Sequence, residues 1–164
     1  MNDIYAGDPY LKGKTDANEC MYVPTALSFG VFCSKNATTG NPEPNADGNA
    51  IWISGWTTCD KTTNLSQVFW KQAVSIYVRC VAGITTGDVL YVAKDGSGYA
   101  TNAPASATAG FIPVGIAKSD AEKGVIDRAG TLADVVKMDW TGLSAPVVPT
   151  PAPPPVKKNI NKEV

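Results

Sequence analysis

Between Val74 and Trp140, apolar and polar residues alternate in short runs separated by glycine-rich turns, a period of two that predicts β-strands. Val74-Ser75-Ile76-Tyr77-Val78-Arg79-Cys80 puts Val74, Ile76, Val78 and Cys80 on one face. Gly87-Asp88-Val89-Leu90-Tyr91-Val92-Ala93-Lys94-Asp95-Gly96 reads as a strand bounded by turns, with Asp95-Gly96 suited to a two-residue hairpin loop. Phe111-Ile112-Pro113-Val114-Gly115-Ile116-Ala117 supplies a following strand. Asp134-Val135-Val136-Lys137-Met138-Asp139-Trp140 supplies the last, with Val136, Met138 and Trp140 on a single face. Upstream, Met21 to Ser34 is apolar on both faces. Ile51-Trp52-Ile53-Ser54-Gly55-Trp56 alternates, with Ile51 and Ile53 on one side and Trp52, Ser54 and Trp56 on the other. Thr62 to Lys71 reads differently: Leu65, Val68 and Phe69 sit at helical spacing behind Ser and Thr caps, which predicts a short helix. Asn41 to Asn49, dense in Pro, Asn, Asp and Gly, predicts an external loop. Strand-sized runs at short intervals with glycine-rich turns predict an all-β fold, a small antiparallel β-barrel or β-sandwich.

The two ends break this pattern. Residues 1–20 mix turn formers with scattered Tyr5, Tyr10 and Leu11, a composition poor for a private core and suited to an extended arm across a neighbour. From Ala145 to Val156 prolines recur, and Pro149, Pro151, Pro153, Pro154 and Pro155 cannot donate to a ladder, so this segment favours polyproline conformation. At about 3.1 Å per residue it reaches on the order of 35 Å, enough to touch another subunit. The expected organisation is an N-terminal arm (1–20), a β-rich body (21–144) and a proline-rich tail (145–164).

Composition narrows the function. The 164 residues are 44% hydrophobic, enough for a core without metals or disulfides, and only 18% charged. A formal net charge of -1 provides no positive field for nucleic-acid phosphates. No apolar run is long enough for a membrane-spanning helix. The opening residues, Met1 to Pro9, lack the basic and apolar regions of a secretory leader, so export is not expected. Cys20, Cys33, Cys59 and Cys80 form no Cys-x-x-Cys pair, and Cys80 reads as a small buried hydrophobe. The chain contains no histidine, which removes Ser-His and Cys-His nucleophile pairs. Asp120 with Glu122, and Asp134 with Asp139, are the remaining carboxylate pairs; they fall in turns or on alternating faces, where solvated charge is the ordinary role. Asn45, Asp47 and Asn49 imitate part of a calcium loop without its final acid. Asn36-Ala37-Thr38 and Asn64-Leu65-Ser66 read as turn chemistry. These features predict a chain that is not an enzyme and that needs no cofactor or metal. Trp52, Trp56, Trp70 and Trp140, with Tyr22, Tyr77, Tyr91 and Tyr99, fit core or interface packing; a sugar-binding platform is the alternative.

Ala82-Gly83-Ile84-Thr85-Thr86-Gly87-Asp88-Val89-Leu90-Tyr91-Val92-Ala93-Lys94-Asp95-Gly96, followed by Pro113-Val114-Gly115-Ile116-Ala117-Lys118-Ser119, resembles tailed-bacteriophage capsid decoration and head auxiliary proteins. In that family a Gly-Asp-x-x-Tyr hairpin precedes a Val-Gly-Ile-Ala strand and a closing strand, here Thr131 to Trp140. The resemblance covers about residues 74 to 140. It implies a capsid-exterior protein, made in the host cytoplasm, whose partners are the major capsid protein and neighbouring virion proteins. It also implies a possible homo-oligomer, a trimer among the options, and no direct contact with nucleic acid or membrane. The candidate interface is then Tyr5, Tyr10, Leu11, Trp52, Trp56, Pro149, Pro151, Pro153, Pro154, Pro155, Lys157 and Lys158. The alternative is a host-recognition or glycan-binding module of a head fibre. An accessory carbohydrate-processing domain is the weakest reading.

Overall fold

A computed structural model describes residues 4–10, 18–45, 49–59, 65–71, 75–102, 113–127 and 129–140. The described residues form two sheets in which every strand pairing is antiparallel, and contain no helix. The first sheet has β1 (Asn18–Val23), β2 (Phe32–Lys35), β3 (Pro42–Pro44), β4 (Trp52–Cys59) and β5 (Leu65–Trp70), in the order β1-β5-β4-β2-β3. The second has β6 (Ser75–Arg79), β7 (Val89–Val92), β8 (Ala100–Thr101), β9 (Pro113–Ala117), β10 (Glu122–Val125) and β11 (Leu132–Trp140).

β11 organises the second sheet. Val135 pairs with Arg79 and Glu122, and Met138 with Ile76 and Ala117, so β6 occupies one edge of β11 while β9 and β10 share the other. The register shifts by two residues between β9 and β10, and Lys118 to Ala121 take up the difference, with Ala121 against the main core. This segment keeps its bonds: Lys118 N donates to Lys137 O at 2.8 Å, and Ser119 Oγ accepts from Lys137 N at 3.1 Å. β7 follows β9, and β8 follows β7. Past β6, Cys80 forms one isolated bridge to Ala100 of β8. The second sheet therefore curls until its ends touch at a single bridge, without the continuous ladder of a closed barrel. Of the two expected architectures, the sandwich-like one is observed.

The main core lies between the sheets. Phe32, Ile53, Val68 and Trp70 of the first meet Ile76, Val78, Leu90, Val92, Val136, Met138 and Trp140 of the second. Val136, Met138 and Trp140 share that face, and Cys80 joins Ile76 and Val78, as the alternation predicts. Each sheet also has a small outer core. Val23, Val31, Cys33, Trp52 and Phe69 cluster on the first, and Ala6, Phe29, Ile126 and Val135 on the second.

Several expectations are corrected. The helix expected in Thr62 to Lys71 is the strand β5 over its described part. There Val68 and Trp70 face the main core, and Phe69 the outer one. Gln67, fully buried beside Phe69, accepts from Leu27 N at 3.0 Å and donates to Leu27 O at 2.9 Å and Gly55 O at 3.1 Å. A satisfied amide can thus occupy an interior strand position, where it pins the Leu27 loop. The Asn41 to Asn49 loop is not wholly external: Pro42–Pro44 pair with β2, and Asn45 is buried with its N–H donating to Phe32 O at 2.8 Å. The two-residue hairpin at Asp95-Gly96 is a longer turn closed by Ala93 N to Tyr99 O at 2.8 Å. Within it Gly98, at φ +71°, packs against the Phe32 carbonyl and the Val31 side chain, where a Cβ has no room.

The Tyr5 to Tyr10 segment lies on its own body. Tyr5 bridges Val125, Pro9 bridges Ile76, and Ala6 is fully buried. Residues 18–20 likewise belong to β1, so the expected boundary near residue 20 falls inside a strand.

Candidate functional site

The Thr85 to Asp88 turn, β7 and β9 form one hydrogen-bonded unit. Gly87 N donates to Ala117 O and Ala117 N to Asp88 O, both at 2.9 Å, which ties the turn before β7 to the end of β9. Asp88 Oδ2 accepts from Thr85 N at 2.9 Å and from Asn102 Nδ2 at 2.7 Å. Asp120 Oδ1 accepts from Thr86 N at 2.8 Å and Thr86 Oγ1 at 3.0 Å. The Thr85 amide, then Asn102, holds the Asp88 carboxyl below the usual range; the Thr86 amide and hydroxyl do the same for Asp120 against desolvation and the like charge of Asp88. Both carboxylates lock a turn. Asp120 serves Thr86, while Asp134 pairs with Lys123 at 2.7 Å.

Asp139 has a different task. Its Oδ1 accepts from Tyr10 Oη at 2.5 Å and Ser75 Oγ at 2.7 Å, and Oδ2 lies 3.8 Å from Lys118 Nζ. Tyr10 meets Tyr77 edge to face at 5.6 Å, and Lys137 Nζ lies 5.9 Å and 5.7 Å from the two ring centres. This latch fastens the end of the N-terminal strap. Burial, followed by the bond to Asp139, pushes the Tyr10 phenol up to about 12. A folded pKa above the unfolded value of 10.0 means that this contribution is complete below about pH 10 and is lost as pH rises through 12. Tyr10→Phe is expected to cost about 1 kcal/mol, from the loss of one partly exposed charge-assisted bond. It should also flatten the alkaline limb of stability, read by urea titrations at neutral pH and above pH 10.

The tryptophans separate. Trp70 and Trp140 lie in the main core and Trp52 in the outer one, the last edge to face with Phe69 at 6.1 Å. The expectation that Trp52, Ser54 and Trp56 share a face fails because the register shifts between Ser54 and Thr57, a bulge that leaves Trp56 43% exposed. The aromatic platform thus loses three of its four indoles to packing. Tyr22, 64% exposed, and Trp56 remain. Tyr99 is engaged beneath the Arg79 guanidinium at 4.2 Å. Ile51 and Val89 are also exposed, which alternation could not reveal: Ile51 has the phase of buried Ile53. Ala50, Ile51, Trp52 and Lys71 line a shallow pocket of about 360 Å³ at the rim of the first sheet.

Of the candidate interface residues, Tyr5 is partly exposed, Tyr10 is latched, Trp52 is buried and Trp56 is accessible. Leu11, Pro149, Pro151, Pro153, Pro154, Pro155, Lys157 and Lys158 lie outside the described residues. Burial pushes the Cys33 and Cys80 thiols up to about 12, which keeps them protonated and unreactive. Among the described residues the exposed large apolar side chains are Trp56, Tyr22 and Ile51 on the first sheet, Val89 and Leu132 on the second, and Tyr5 on the strap. Comparison of the chain with protein-family models, with curated proteins and with solved structures finds no match.

Proposed function

We propose that this chain is a virion structural protein that binds the outer surface of a phage capsid and stabilises it through contacts with major capsid protein subunits. The observation that carries the reading is the unit built from Thr85 to Asp88, β7 and β9. The residues that resemble decoration proteins are the ones that fold together, through the Gly87–Ala117 and Ala117–Asp88 bonds. Exposed Trp56 and Ile51 supply the kind of aromatic and aliphatic surface that protein interfaces use. The 145–164 segment, with its prolines and Lys157 and Lys158, supplies reach to a second subunit.

Purified chain mixed with capsids lacking it should occupy regular lattice positions in electron micrographs. Deleting residues 145–164 should lower occupancy while leaving the melting temperature of the body unchanged. Trp56→Ala should lower occupancy further. Absence of lattice binding by the intact chain, together with glycan-array binding that Trp56→Ala abolishes, would replace this reading with the head-fibre glycan module.

A further inference from the structure

The sheet edges are treated unequally. Along β6, the strap covers the side away from β11: Gly7 N donates to Tyr77 O, Tyr77 N to Asp8 O, and Tyr10 N to Ser75 O. At β8, the outer side is met by Cys80 and by Val81 N donating to Ala100 O. In the first sheet β3 is an edge, and Pro42 and Pro44 remove donors from it, which blunts it against pairing. β1 is the opposite edge. Its Glu19–Val23 run has no proline and no lysine, and among the described residues no strand pairs with its outer side. An uncovered backbone row of this length is a template for another strand.

We propose that β1 pairs with β1 of a second copy of this chain, antiparallel about a twofold axis, joining the two first sheets into one. Such pairing keeps each face continuous only if residues of equal parity oppose one another. The register centred on Met21 satisfies this. It sets Met21 against the same residue of the second copy, Tyr22 against Cys20, and Glu19 against Val23, so no like charges oppose. Pro24, immediately after β1, limits the ladder to Glu19–Val23. A formal net charge of -1 leaves little repulsion between copies. The pairing sets Tyr22, the most exposed large apolar side chain described, beside Cys20 of the second copy. A strand pair of this size buries less than the roughly 800 Å² per partner of a standard interface, the size class of weak, reversible association.

The dimer is measured on free protein without capsids, so its outcome is independent of the proposed function. Sedimentation of the full chain under reducing conditions should show a concentration-dependent monomer–dimer equilibrium. Tyr22→Lys, which puts a cation on the edge at an exposed position, should raise the dissociation constant roughly tenfold or more, while Tyr22→Phe leaves it near wild type. Hydrogen exchange should show amide protection of Glu19–Val23 that rises with protein concentration. A monomer at all concentrations overturns the proposal, as does an oligomer insensitive to Tyr22→Lys. Concentration-independent protection of β1 that disappears on deleting residues 141–164 also overturns it, in favour of the chain's own tail as the occupant.

Discussion

Trp140→Ala is expected to cost about 3–5 kcal/mol of folding stability, a large share of the roughly 5–15 kcal/mol that holds a domain of this size. Trp140 ends β11, is 1% exposed and packs edge to face on Phe32 at 5.9 Å and 84°. It therefore links the last strand of one sheet to β2 of the other. Its neighbours in the main core come from paired strands whose backbones cannot collapse into the space left behind, so most of the cavity persists. Urea denaturation should show a lower midpoint with an unchanged slope. Trp140→Phe, which keeps much of the ring, should lose less than half as much. Equal losses for the two variants would mean that the indole does not fill the core as described.

Gly7→Ala should cost about 3 kcal/mol or more, although it adds one methyl group. Gly7 has φ +82°, where a side chain is strained, and an added Cβ would run into the Ser54 carbonyl with Gly30 N and Gly55 Cα each 3.0 Å away. All three obstacles are backbone. They are also tied together: Gly30 N donates to Ser54 O at 2.7 Å, and Ser54 Oγ accepts from Val31 N at 2.9 Å. The strap would have to lift, taking with it the bond from Gly7 N to Tyr77 O. Gly83→Ala is the control, because Gly83 has a similar φ of +88° but open space around a Cβ. It should cost only the conformational part, about 1 kcal/mol. Hydrogen exchange should then show the Ala6 and Gly7 amides opening in Gly7→Ala and closed in Gly83→Ala. Equal losses in the two variants would remove the steric contribution assigned to the Gly7 junction.

The strand alternation of the body was legible because it is local. The phase of Ile76 and Val78, and of Val136, Met138 and Trp140, follows from side chains alternating across a pleat. The Leu65 to Trp70 run misled because Leu65, Val68 and Phe69 satisfy a helical spacing while Gln67 disguises a buried position. Its amide is acceptable inside only because Leu27 and Gly55, distant in sequence, supply partners. The strap was unreadable for a related reason. Ala6 and Gly7 are small, and their burial depends on Ser54, Gly30 and Tyr77 arriving from other elements.

The candidate surface was less legible than the fold. Trp52 and Trp56 are four residues apart in one strand, and a bulge between Ser54 and Thr57 sends only the second toward solvent. Tyr10 and Asp139 stand at opposite ends of the described chain and meet across the outer face of β6 and β11. By itself, the sequence determined the β class, the position of β4, β6, β7, β9 and β11 and which residues of the last strand face inward, since these depend on each residue and its near neighbours. Tertiary structure alone decided strand order, which edges are sealed, and which aromatic rings remain exposed. Those properties depend on what packs against a strand from elsewhere in the chain, and alternation along one segment carries no record of its partner.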